Sequence, residues 1–423
     1  MSTNRAPLLD NTLRLALEGY GWLPNRRRRA GSDVVHARLM GQPAVGLCGP
    51  EAARFFYDEK HIHRHGAIPE PAQATLFGHR AVHTLDGEIH RHRKAMFVSL
   101  LTPEGIAGLV DRTIREWDET AGSWTPRQRV ELFAETSQVL TRAVCAWVGV
   151  PLDGHDVPAL ASDLVALVDG FATLGPRHWR ARLARKRRED WLSRLVEDVR
   201  RGELAVEEGS VIDVVAGYRE ADGRLLDARV AAVELLNVIR PTVAVCWFVT
   251  FAAHALHRWP DVRDRLRGRA TGYPEAFVHE VRRFYPFAPF VGGRAVKDLS
   301  WQGEPITAGS IVLLDLYGQN HSPHLWPDPY AFRPERFLDR EIGQFDLVPQ
   351  GGGDPRTGHR CPGETATVAL LGALTPRLAA FDHDVPDQDL TISLTRIPAR
   401  VASGFVFAVG QHSPSHAQPV PLP

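Results

Sequence analysis

A cysteine, an arginine and a histidine stand out in this chain of 423 residues for the chemistry their surroundings would allow. Cys361 lies in GGGDPRTGHRCPGE (Gly351–Glu364). Glycines open the stretch, His359 and Arg360 lead into the thiol, Pro362-Gly363 follows it, and an apolar helical pattern begins near Thr365. Glycines let backbone approach a flat object closely, and a helix start supplies N–H groups and a positive dipole end. Both favour a thiolate, so Cys361 is a candidate anionic sulfur ligand; a core cysteine beside a turn is the plainer alternative.

The arginine is Arg240, in LLNVIRPTVAVCWF, with Pro241 directly after it. Proline removes a backbone donor, frees the carbonyl of Asn237 and bends the helix. A guanidinium among Leu, Val, Ile and Ala cannot stay unpaired in a dry interior. Either Glu234 compensates it, or it waits for a ligand carboxylate bound in bidentate fashion. The histidine is His83, in LFGHRAVHTLDGEIHRHRK (Leu76–Lys94). There Asp86-Gly87 reads as a turn and Glu88 onward as a helix. It sets His90 and Lys94 four residues apart on one face and Arg93 on the adjacent one, either exposed or contacting an anion.

Two further segments look like scaffolding. HEVRRFYPF contains Glu280-x-x-Arg283, a carboxylate and a guanidinium one turn apart on a helix face. About fifty residues later comes FRPERF (Phe332–Phe337), which carries Arg336.

These groups must be positioned mostly by helices. Apolar residues recur at three- and four-residue intervals over Glu104–Trp117, Val130–Trp147, Val157–Phe171, Asp190–Gly202, Asp227–Leu256 and Tyr273–Tyr285. Strand-like runs are short: Ala44–Cys48, Arg294–Val296, Ser310–Leu314 and Gly404–Val409. The expectation is a mainly α fold with small peripheral β-sheets, one catalytic domain over residues 1–411 and a disordered Pro- and Ser-rich tail over 412–423. The basic stretch RHWRARLARKRRE (Arg177–Glu189) reads as a solvated helix face or loop, with a partner-docking patch as the alternative.

Composition narrows the function. The 50 basic and 50 acidic residues cancel, against a general grip on nucleic acid. MSTNRAPLLDNTLRLALEGYGW is mixed and polar, unlike a signal peptide or membrane anchor. Cys48, Cys145, Cys246 and Cys361 are widely spaced with no CxxC pair, which disfavours zinc and disulfides and suits a reducing cytoplasm.

Together, Glu280-x-x-Arg283, the Trp-Pro-Asp-Pro approach in NHSPHLWPDPYAF, FRPERF and the cysteine loop make the chain resemble the cytochrome P-450 (haem-thiolate) superfamily over nearly its whole length. The resemblance implies haem b with Cys361 as the thiolate ligand and His90, Lys94 and His359 as cofactor contacts. It also implies a buried Glu280–Arg283–Arg336 network behind the haem. Two departures stand out. Asp354 replaces the usual Phe seven residues before the cysteine, with DPRTG inserted in the loop. And the acid–alcohol pair of ordinary members is missing, with no acid beside Thr242 and Arg240-Pro241 in its place.

Arg-Pro at that position resembles the fatty-acid peroxygenase branch, of hydroxylases and alkene-forming decarboxylases, as do VDGFATLGPRHW and QGGG…GHRCPGE. By that resemblance Arg240 and Pro241 belong to the catalytic machinery. A fatty acid's carboxylate, held by Arg240, moves the proton that peroxide cleavage needs, so hydrogen peroxide suffices and no redox partner is obligatory. Oxidation falls at the alpha or beta carbon. His83 would face the substrate, where an imidazole with a pKa of about 6.5 can donate or shuttle a proton. Phe77, Phe171, Phe287 and Phe290 are candidates to line the acyl channel, or equally for core. A redox-partner-fed monooxygenase and a non-catalytic haem or lipid sensor are the competing functions.

Overall fold

A computed structural model describes residues 9–152, 156–171, 173–268 and 271–410. The tail expected to be disordered lies outside the described residues. The described residues form a mainly helical body with three small sheets.

Three of the long helices start on side-chain caps. Thr102 accepts the Gly105 N–H ahead of Pro103–Gly122, Asp156 caps Val157–Asp169, and Asp227 accepts from Arg229 and Val230 at the head of Ala228–Val243. Each cap satisfies donors that the first turn leaves without partners. The main core forms around Ala228–Val243 and Val245–Arg258, packed by Leu132–Val148 and Glu364–Ala380. Residues 228–258 are apolar and long enough to cross a membrane, but 89% of their most apolar window is buried inside the protein. This is a core helix.

Several expected elements end elsewhere. The expected Asp227–Leu256 helix is interrupted at Ala244, three residues past Pro241. Arg129–Glu131 form a strand against Val406–Ala408 instead of opening the next helix. Val130 alone of the three is buried, a period-two pattern, and helix begins at Leu132. The helix expected from Asp190 starts at Pro176 and takes in the basic stretch, because His178, Ala181, Ala184 and Arg185 form a buried face. That stretch is therefore only partly solvated.

The largest sheet has five strands in the spatial order Val34–Leu39, Gln42–Leu47, Ile311–Asp315, Phe290–Ala295, Ile62–His63, with only the second and third parallel. Phe290–Ala295 replaces the expected Arg294–Val296 run.

Candidate active site

The cysteine loop is built on backbone that only glycine adopts freely. Gly351 and Gly353 have φ of +96° and +89°, and a Cβ on Gly351 would meet Tyr57 Oη at 2.6 Å. The Cys361 N–H donates to Gln350 O at 3.1 Å, and the Gly363 N–H supports the sulfur from the head of Glu364–Ala380. Gln350 Nε2 lies 3.9 Å from Sγ and donates to Thr367 Oγ1 at 3.1 Å, while its Oε1 accepts from Arg282. Arg282 also pairs with Glu364.

The glycines and the helix start were expected to favour a thiolate, and the Gly363 N–H does so, with Lys94 and Arg282 adding to it. Burial is the largest influence and pushes the thiol up, outweighing the Gly363 N–H, Lys94 and Arg282.

The scaffold behind the loop has the expected form. Glu280 is fully buried and accepts Arg283 Nε and Nη2 at 2.7 and 2.8 Å, with Arg336 Nε at 3.2 Å. The Arg333 N–H adds a bond of 2.7 Å. Arg283 reaches on to the carbonyls of Asn320 and Pro329, tying its helix to the 320–336 segment.

On the other side, His90 and Lys94 are 2% and 3% exposed, which rules out the surface alternative. Lys94 Nζ donates to the carbonyls of Gly358 and Arg360, clamping the cysteine loop to the Gly87–Leu100 helix. Burial pushes Lys94 down to about 8, against the opposing pull of Cys361. The rings of His90 and His359 stack with centroids 3.9 Å apart. His359 Nε2 pairs with Asp86 Oδ1 at 3.3 Å, and His90 Nδ1 lies 4.0 Å from Glu59 Oε1 with no hydrogen-bond partner among the described residues. Arg93, offered by sequence as a less certain partner on the adjacent face, is committed elsewhere: it pairs with Glu234 at 3.0 Å and with Glu220.

Arg240 is 6% exposed, and no carboxylate reaches it among the described residues. Its Nη2 donates to Asn237 Oδ1 at 3.1 Å, and its Nε has no partner. Glu234 does not compensate it. That carboxylate takes Arg93, the Val82 N–H at 2.8 Å and Asn237 Nδ2 at 3.0 Å. Burial first, then Arg185, pushes Arg240 down to about 9, while Cys361 opposes the fall. It stays cationic at neutral pH and feels the cysteine's field. Thr242 spends its hydroxyl on Val238 O at 2.9 Å.

His83 sits beside this group. Burial, then the fields of Arg240 and Lys94, hold its pKa well below 6.5, so the ring is neutral. Its ring lies 4.9 Å from Phe77, which meets Phe171 edge-on at 5.9 Å. Phe287 packs apart from these, against Phe248 at 4.9 Å, and Phe290 packs against the Trp22–Leu23 cluster beside the large sheet.

Sequence reading passed over Arg282, Gln350, Glu364 and Asp86. The Arg282-Arg283 doublet was the available signal, since adjacent helix residues point about 100° apart and serve different networks.

A family model for cytochrome P-450 matches residues 271–401. The solved structure of cytochrome P450SP alpha (CYP152B1) with (R)-ibuprophen superposes with a TM-score of 0.92 at 42% identity, over 95% of this chain and 98% of that one. This chain is a cytochrome P-450. Its branch is that of the fatty-acid peroxygenases. Cytochrome P450EX alpha (CYP152N1) with myristic acid gives 0.91 at 38% identity, over 95% and 97% of the two chains. A variant of cytochrome P-450 OleT with arachidonic acid gives 0.92 at 35%, over 98% and 100%. Among curated relatives, the cytochrome P-450 139 of Mycobacterium tuberculosis is 24% identical over 380 residues, 82% of this chain and 87% of its own length.

A cytochrome P-450 holds a cysteine-ligated haem iron, and the residues here fit one. Cys361, deep in the protein, keeps accessible surface and pairs with no other cysteine. Lys94 beside the stacked rings of His90 and His359 suits the carboxylates such a cofactor carries.

Proposed function

We propose that this cytochrome P-450 uses hydrogen peroxide to oxidise fatty acids at the alpha or beta carbon, with no electron-transfer protein. The products are hydroxy acids with some terminal alkene. Hydroxylation consumes one peroxide and releases one water; decarboxylation consumes one peroxide and releases carbon dioxide and two waters. Bound haem b, held by Cys361 with His90, Lys94 and His359, supplies the oxidising chemistry.

One observation carries the reading: Arg240 is a buried cation with an unpartnered Nε and no carboxylate of the protein within reach among the described residues. A substrate carboxylate supplies the missing charge and hydrogen-bond acceptor, and it brings a base into a site where Thr242 has no acid beside it. Asn237 holds one end of the guanidinium, leaving the rest to the ligand. Pro241, directly after Arg240, precedes the helix break at Ala244. Phe77 and Phe171 receive the acyl chain beside His83. The ligands of the three related structures are all carboxylic acids. We further read residues 1–411 as one catalytic domain, working in a reducing cytoplasm that keeps the cysteines unpaired.

The experiment is turnover of a saturated fatty acid by purified holoenzyme with peroxide alone. Hydroxy acid and alkene are expected. A strict requirement for NADPH and a reductase would favour the conventional monooxygenase.

A further inference from the structure

One side chain faces the Cys361 sulfur, and it is not the one that spacing suggests. Counting seven residues back from the cysteine gives Asp354. Its carboxylate is spent on the exposed part of the loop, where it accepts the Arg356 N–H and the Thr357 hydroxyl, both at 2.8 Å. The DPRTG insertion displaces the count, and the side chain at the sulfur is Gln350, eleven residues back. The backbone carbonyl of Gln350 also accepts the Cys361 N–H at 3.1 Å, so one residue holds the cysteine by its backbone and its thiol.

Neighbours that act in one sense only decide which way the amide points. Arg282 donates and cannot accept, and its Nε and Nη2 lie 3.3 and 3.1 Å from Gln350 Oε1. The oxygen therefore faces Arg282, and the nitrogen faces the cysteine. Thr367 gives its one hydroxyl proton to Gly363 O at 3.1 Å, so it accepts from Gln350 Nε2 at 3.1 Å. That uses one of the two amide hydrogens. The other is left for Cys361 Sγ at 3.9 Å, a separation that shortens when the acceptor is an anion. Arg282 cannot turn away: it is 2% exposed, pairs with Glu364 and meets His279 Nδ1 at 3.1 Å. Its charge polarises the amide toward the sulfur.

We propose that Gln350, locked by Arg282, is a positioning residue that donates a hydrogen bond to the Cys361 thiolate and draws electron density back from the sulfur. A thiolate ligand pushes density toward a haem iron and favours O–O cleavage, and hydrogen bonding around the ligand is how a protein tunes that push. The inference rests on the haem-thiolate family of the chain and not on its substrate.

The test uses the full-length holoenzyme without substrate and three variants. Q350L removes the donor. Q350E keeps the volume and the Arg282 contact, which holds the carboxylate ionised, but has no N–H to give. D354A alters the exposed part of the loop. The reduction potential of the iron and the iron–sulfur stretching frequency, by resonance Raman, are read for each. Q350L and Q350E should shift the one-electron equilibrium about fivefold toward the ferric form, or about 40 mV at about 59 mV per tenfold. Both should raise the stretching frequency, and D354A should match the parent. If Q350L fails to take up haem, Q350E decides. A parental potential and frequency in Q350E overturns the proposal. So does an equal shift in D354A, since any disturbance of the loop would then move the sulfur. Neither measurement involves a fatty acid, so either result stands apart from the fatty-acid reading.

Discussion

The backbone N–H of Val82 donates to the carboxylate of Glu234 at 2.8 Å, bonding the turn that carries His83 to the helix that carries Arg240. The same carboxylate holds Arg93 at 3.0 Å and Asn237 at 3.0 Å, so one fully buried group sets the spacing of two site residues. Glu234→Ala should lose about 3 kcal/mol of stability in urea unfolding, the lower end for a broken buried pair, because Glu220 still neutralises Arg93. Unchanged unfolding would mean the network relaxes onto other partners.

Arg240→Ala should keep its haem content and weaken fatty-acid binding by about 2–5 kcal/mol, followed by the spectral shift on titration. Peroxide-driven turnover should fall with it. Equal affinity in parent and variant would remove Arg240 as the anchor.

Cys361→His should abolish the red-shifted Soret band of the reduced carbon-monoxide complex, which reports thiolate ligation. Retention of that band would place the ligand elsewhere.

His83→Gln should change the ratio of alkene to hydroxy acid measured in one reaction. On the function proposed above, the neutral ring beside Phe77 would border the chain near its carboxylate, and small shifts in position there carry large rate effects. A constant ratio would make pocket shape the sole determinant.

Stability should fall as pH drops from about 6.5 toward 4. His254, His321 and His383 are each pushed down to about 4, burial being the largest cause. Unfolded, they take up protons near pH 6.5, while the folded protein stays unprotonated until about 4. The unfolded state therefore binds more protons throughout that window, and acid favours it. His254 Nδ1 meets the Tyr285 hydroxyl at 2.8 Å. In His254→Gln the urea midpoint should depend less steeply on pH; an identical slope would assign the effect to other groups.

What the sequence by itself determined was chemistry written in short segments. The cysteine between glycines and a helix start, the Glu280-x-x-Arg283 pair and the arginine stranded in an apolar helix all owe their meaning to neighbours within a turn or two. Only the tertiary structure decided which partners those groups take. Glu234 and Arg240 share a helix, but six residues turn it through about 600°, leaving the two side chains on different faces. Glu234 accordingly turns to Val82 and Arg93. His90 and Lys94 look solvent-facing in HRHRK, and their burial comes from a loop more than 260 residues away. The strand at Arg129–Glu131 exists because Val406–Ala408 lies beside it. Local pattern specifies what a side chain can do, and long-range packing sets its dielectric, its charge partners and hence its pKa.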